Sequence, residues 1–219
     1  FNVGGSVEGN PLRIATSTLH ESWDQETLSF TETARKDEER YRRNLHGFDW
    51  YTARLFGNTT ADYSFEIDLS DVDQTKPQRL RFEIIQEIVS SYVNHYMKVD
   101  INGNAVANPG SIDGYTFSWP NISLYTFNRE VTGLVNGTNN ITIRMIRDRT
   151  LNYYLDYLEL QYGRTINKAD GQLTVYTTDA LRRVRYDVTG NTTGIEAYMV
   201  NSQYDVSQVP LQAANSYLV

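Results

Sequence analysis

Strict alternation is the feature that most restricts this chain. In "DYSFEIDL", residues 62–69, Tyr63, Phe65, Ile67 and Leu69 fall on one side and Ser64, Glu66 and Asp68 on the other. That period of two belongs to a strand with one face buried and one in water. Comparable runs follow in "RLRFEIIQEIV", "YMKVDINGNAV", "YTFSWPNISLYTF", "NITIRMIR" and "NYYLDYLELQY". The polar stretches "DVDQTKPQ", "ANPGSIDG" and "NREVTGLVNGTN" read as the connections between them. Asn102-Gly103 sits between strand-formers, and this dipeptide favours the two-residue turn of a tight antiparallel hairpin. Roughly seven or eight short strands over about 115 residues, with no sustained helical period, predict an all-β fold of sandwich or jelly-roll type.

Around that body the expected organisation has three parts. Residues 1–44 form an N-terminal segment, partly irregular and able to add strands. In it "ETARKDEERYRR", residues 32–43, reads as a solvated excursion between strands, with an exposed helix as the alternative. Residues 45–164 form the jelly-roll sandwich. Residues 165–219 break into shorter units, "GQLTVYTT", "LRRVRYDV", the turn "TGNTTG", "IEAYMV", "VPLQ" and "NSYLV", which read as a small additional β unit. The chain opens on FNVGGS and closes on the apolar SYLV, so it reads as a piece of something longer.

Composition narrows the chemistry. A net charge of −7 works against polyanions, since binding a phosphate backbone needs a basic surface, and nucleic acid is not an expected partner. The clusters Arg40, Arg42, Arg43 and Arg182, Arg183, Arg185 read as solvated strand faces. With no cysteine the chain supplies no disulfide, thiolate ligand or thiol nucleophile. No stretch approaches the roughly 18 apolar residues of a membrane-spanning helix. His20, His46 and His95 are scattered without metal-ligand spacing. "DLSDVDQ" lacks the glycine of a calcium loop and reads as a polar turn. Glu66 with Asp68, or Glu83 with Glu87, would be the candidates for a pair of catalytic carboxylates, yet alternating acids on strands are ordinary solvent-facing residues. No catalytic residue is assigned. The N-x-Ser/Thr sequons at Asn58, Asn121, Asn136, Asn140 and Asn191 carry no weight in a chain this rich in Asn, Ser and Thr.

One constellation suits ligand binding. Tyr115, Phe117 and Trp119 alternate, so the three rings share a face, and Pro120 confines that strand to an edge or ends it. Exposed rings in a row stack on sugars or anchor protein partners, and buried rings in a row are core.

Asp156 raises a separate question, because it interrupts the apolar run "NYYLDYLELQY". On an unbroken strand Tyr154, Asp156, Leu158, Leu160 and Tyr162 share the core-facing side, and Leu155, Tyr157, Glu159 and Gln161 the other. A carboxylate there needs a partner. Three readings stand: structural hydrogen bonds to a neighbouring loop or an Arg such as Arg144 or Arg147, a bound calcium ion, or direct ligand contact.

The run Leu155-Asp156-Tyr157-Leu158-Glu159-Leu160 looks like the closing strand of galactose-binding-like jelly rolls, the architecture of many carbohydrate-binding modules. "YLDYLELQYGRTI", followed by "GQLTVY", "RYDVTG" and "GIEAYMVN", resembles the region ahead of the catalytic domain in gingipain-like cysteine peptidases. Within them it is most similar to the PorU-type C-terminal signal peptidases of the type IX secretion system in Bacteroidetes. "LHGFDWYTARLFGN" fits their Gly-x-x-Trp-(Phe/Tyr) signature at Gly47, Trp50 and Tyr51. The resemblance covers roughly residues 45 to 219. It departs at Tyr198-Met199-Val200, where the family tends to show Trp-Asp-Val, and no residue matches the family's catalytic His or Cys. It implies structural roles for Trp50, Asp156 and Tyr157, no cofactor beyond the calcium already raised, and a small β unit leading toward a missing catalytic domain. It further implies a non-catalytic domain, secreted or attached to the outer membrane or cell surface, that packs on its own downstream peptidase domain and helps to recognise protein substrates. The alternative is an independent carbohydrate-binding module with a glycan as partner.

Overall fold

The computed structural model describes residues 15–16, 25–42, 49–57, 60–86, 94–120, 124–146, 152–167, 184–187, 196–202, 205–209, 211–212 and 216–218. The chain divides into two units, one made of Phe1–Phe30 with Ile166–Val219 and the other of Thr31–Thr165. Of the described residues before 45, 15–16 and 25–30 belong to the first unit and 31–42 to the second.

The first unit is built of short strands. β1 (Ala15–Thr16) pairs in parallel with β17 (Asp205–Val209), and β17 pairs antiparallel with β16 (Ala197–Ser202). A second sheet has the order β18 (Leu211–Gln212), β19 (Ser216–Leu218), β15 (Val184–Asp187), β2 (Gln25–Thr27). Both sheets thus combine an N-terminal strand with C-terminal ones, which is why the two ends of the sequence form one unit. "GQLTVYTT" and "TGNTTG" lie outside the described residues.

The second unit is a jelly-roll β-sandwich. One sheet runs β7 (Ala61–Leu69), β13 (Gly137–Ile146), β9 (His95–Ile101), with β10 (Asn104–Ala105) and β11 (Phe117–Trp119) both on the outer edge of β9. The other runs β12 (Leu124–Val131), β8 (Gln78–Gln86), β14 (Asn152–Thr165), and the far edge of β14 takes β3 (Ser29–Lys36) and β6 (Ala53–Phe56). β4 (Tyr41–Arg42) and β5 (Trp50–Tyr51) form a separate two-stranded ribbon.

Alternation decides which residues face inward. Phe65, Ile67 and Leu69 of β7, Leu80, Phe82 and Ile84 of β8, Met97, Val99 and Ile101 of β9, and Ile141, Ile143 and Met145 of β13 join one core between the sheets. Phe82 stacks on Phe127 at 4.5 Å, and Phe117 meets Phe127 edge-on at 4.8 Å across the two sheets. The hairpin forms as the dipeptide dictates: Asn102 and Gly103 have φ of 53° and 82°, and Ile101 faces Asn104. Both turn residues thus hold the positive φ that a type I′ turn needs.

Three expectations change. Residues 32–36 of the expected excursion belong to a strand, β3, that runs against β14, because the inward row Phe30, Glu32, Ala34 and Lys36 mixes two apolar residues with two charged ones and carries no hydrophobic period to read. "YTFSWPNISLYTF" is two strands in opposite sheets: β11 stops at Trp119, before Pro120, and β12 runs on through "NREV". β14, finally, is not an unbroken strand. Leu155 faces Ile84 while Leu158 faces Phe82, so Asp156 and Tyr157 together stand opposite Glu83. This is a bulge, one extra residue that reverses the alternation. Tyr153 and Leu155 point into the core before it and Leu158, Leu160 and Tyr162 after it, and Asp156 leaves the core-facing row.

Candidate functional site

The bulge is built from three directions. β14 supplies Asp156 and Tyr157, β8 supplies Arg81 and Glu83, and the N-terminal strand β3 supplies Arg35. Thr52, buried between β5 and β6, holds it from the side. Its N–H donates to the Leu155 carbonyl at 2.8 Å and its hydroxyl donates to the Asp156 carbonyl. The same Thr52 oxygen accepts from the Glu38 N–H at 3.0 Å. Two carbonyls at the bulge, those of Leu155 and Asp156, are satisfied in this way.

Tyr157 is 5% exposed and lies outside the core between the sheets. The Arg35 guanidinium carbon is 3.9 Å from the ring centre and that of Arg81 5.7 Å, cation–π contacts that also shield the ring from water. Its hydroxyl donates to Glu83 Oε1 at 3.3 Å. Burial, followed by the charge of Glu83, pushes the Tyr157 hydroxyl above its ordinary pKa.

The Asp156 backbone carbonyl, not its carboxylate, fastens the neighbouring strand. The carboxylate is half-buried, and its pKa is raised, first by burial, then by Asp37 and Glu83, with Arg35 opposing and Asp49 adding a little. Among the described residues no group of three or more His, Asp or Glu side chains is placed to hold a metal ion. The cluster can fix the register of β14 and present a mixed-charge face.

Trp50, 40% exposed, lies under the Arg42 guanidinium at 4.9 Å, and its neighbour Tyr51 packs on Tyr154 at 5.1 Å. The aromatic row is divided. Phe117 and Trp119 are 1% and 2% exposed, with Trp119 stacked on Tyr125 at 4.7 Å. Tyr115 alone is exposed, its N–H donating to Asp113 Oδ1. The three rings make no common platform, because the side they share from Phe117 onward faces the opposite sheet.

A cleft of about 500 Å3 opens near the ends of β8, β10 and β12, lined by Lys76, Gln78, Asn104, Val106, Glu130 and Val131 among others. None of its lining residues is aromatic, so a sugar face has nothing to stack on there. Sequence reasoning did not find Thr52, Arg35 or Arg81. The last two lie in charge-rich strands, where only the pairing with β14 reveals their common target. No helix among the described residues is long and apolar enough to cross a membrane.

Comparison with known proteins gives no matching family model and no matching curated protein. Among solved structures, dimeric latent PorU from Porphyromonas gingivalis matches over 95% of this chain and 20% of its own, with a TM-score of 0.70 at 13% identity. The CBM36-1 domain of a multidomain xylanase from the hindgut metagenome of Trinervitermes trinervoides matches over 59% of this chain and 95% of its own, with a TM-score of 0.38 at 12% identity. A family 35 carbohydrate-binding module from Clostridium thermocellum matches over 60% and 90%, with a TM-score of 0.35 at 14% identity. The chain therefore spans about a fifth of the length of the PorU structure it matches. It has a PorU-like fold and contains no cysteine.

Proposed function

We propose that this chain is a non-catalytic β domain of a larger, secreted or surface-attached gingipain-like cysteine peptidase of the PorU type. Its role there is to pack on the catalytic domain and to help recognise protein substrates. The observation that carries this reading is the PorU-like fold over 95% of the chain. The lack of any cysteine agrees with it, because the thiol of such a peptidase would have to come from another part of the protein.

The test compares the parent protein with and without these 219 residues on folded protein substrates and on short peptides. Loss of cleavage of the proteins with retention of the peptides is the expected result. Equal cleavage of both by the shortened enzyme would overturn the role in recognition. The carbohydrate-binding alternative drew on the jelly-roll pattern and on the aromatic row; with Phe117 and Trp119 in the core only the first of these remains.

A further inference from the structure

At the end of the sandwich where β8 stops and β9 begins, the core turns polar. Gln86, His95, Trp119 and Tyr153 are all 2% exposed or less. Gln86 faces Tyr153 across the β8–β14 ladder, and His95 faces Trp119 across β9–β11. The Tyr153 hydroxyl and His95 Nδ1 are 2.6 Å apart, a hydrogen bond that joins the two sheets, and the Trp119 ring lies edge-on to Tyr153 at 6.1 Å. Gln86 and Trp119 therefore flank the same tyrosine.

Their polar atoms differ from the other buried amides of this domain. Gln78, on the same face of the same strand, is tied through Oε1 to the Leu134 N–H and through Nε2 to Gln74. Asn139, fully buried, bonds Val135, Gly137 and Asn102. Among the described residues neither Gln86 Oε1 nor Gln86 Nε2 nor Trp119 Nε1 has a hydrogen-bond partner. Leaving an amide and an indole N–H sealed in a core without partners costs several kcal/mol. Natural cores resolve such orphans with an internal hydrogen-bonding guest.

We infer that Gln86 and Trp119 form an internal site for a small neutral molecule that accepts from two N–H groups and donates to one carbonyl, and that this molecule is water. Two donors and one acceptor match the roughly three bonds a buried water makes. The site ties β8 of one sheet to β11 of the other beside the Tyr153–His95 bond. It is independent of the proposed peptidase role.

The test is water-selective NMR on the intact chain. A cross-relaxation peak between the Trp119 indole proton and long-lived water is expected, its sign separating it from proton exchange, and it should disappear in Gln86→Met. In the same variant the folding equilibrium constant should fall about tenfold, since one partner of a satisfied buried network is gone. Absence of the peak in the wild-type chain overturns the inference, and so does a peak that survives in Gln86→Met. A rise in stability of Gln86→Met also overturns it, because removing an unsatisfied amide relieves a cost. A crystal structure in which protein groups bond both Gln86 and Trp119 does the same.

Discussion

The Arg35 guanidinium carbon stands 3.9 Å from the centre of the Tyr157 ring, so a strand from the charged N-terminal segment covers the bulge of β14. Removing the ring should matter far more than removing either cation. Tyr157→Ala is expected to cost about 3 kcal/mol, the usual scale for a buried aromatic. Tyr157→Phe, which loses only the bond to Glu83, and Arg35→Ala should each cost about 1 kcal/mol or less. Urea denaturation midpoints of the three variants check the order.

Asp156 gives a pH dependence of defined sign. Burial, Asp37 and Glu83 raise its carboxyl above the ordinary value in the folded chain, so the folded state holds the proton more tightly than the unfolded one. Its contribution is favourable in acid and is lost as pH rises from the unfolded value through the raised folded one. Asp156→Asn should therefore stabilise the chain at neutral pH, by about 0.5 kcal/mol or less after solvent screening, and make no difference in acid. A destabilised variant at neutral pH would show that the carboxylate has a bonding partner.

Asp113 has the opposite sign. Lys98 foremost, then the Thr116 hydroxyl and the Tyr115 and Thr116 N–H groups, hold its carboxyl far below the usual range, so its contribution is present above the unfolded value and falls away progressively as pH drops below it. Asp113→Ala should free the connection that carries Tyr115. Faster amide hydrogen exchange at Tyr115 and Thr116, with the exchange of β13 unchanged, is the expected readout.

How much was legible in the sequence follows from these residues. Asn102-Gly103 announced its hairpin because the turn needs two positive φ angles, a local demand that few dipeptides meet. The Asp156–Tyr157 bulge was hidden, since alternation counts residues along one strand and an extra residue shows only against its partner, here Glu83. Phe117 and Trp119 could not be placed in or out, because a platform and a core row have the same period of two. The β3 strand was hidden by its own composition. Its pairing with β14 is made by the backbone, and the Arg35 that packs on Tyr157 looks like any solvated charge.

Gly163 marks a close approach rather than a flexible turn. A Cβ at this position would lie 2.5 Å from Lys76 Cβ and Cγ, atoms near the backbone that cannot swing aside. Gly163→Ala is expected to cost about 1–3 kcal/mol through this overlap, seen as a lowered urea midpoint. An unchanged midpoint would mean that the 71–76 connection yields freely.

The central claim, a non-catalytic PorU-like domain belonging to a larger cysteine peptidase, is tested most directly by sequencing the gene past the codon for Val219. The expected result is an uninterrupted reading frame encoding a gingipain-like domain with a His and a Cys placed as a catalytic pair. A stop codon directly after Val219, or a downstream region without that pair, would contradict it.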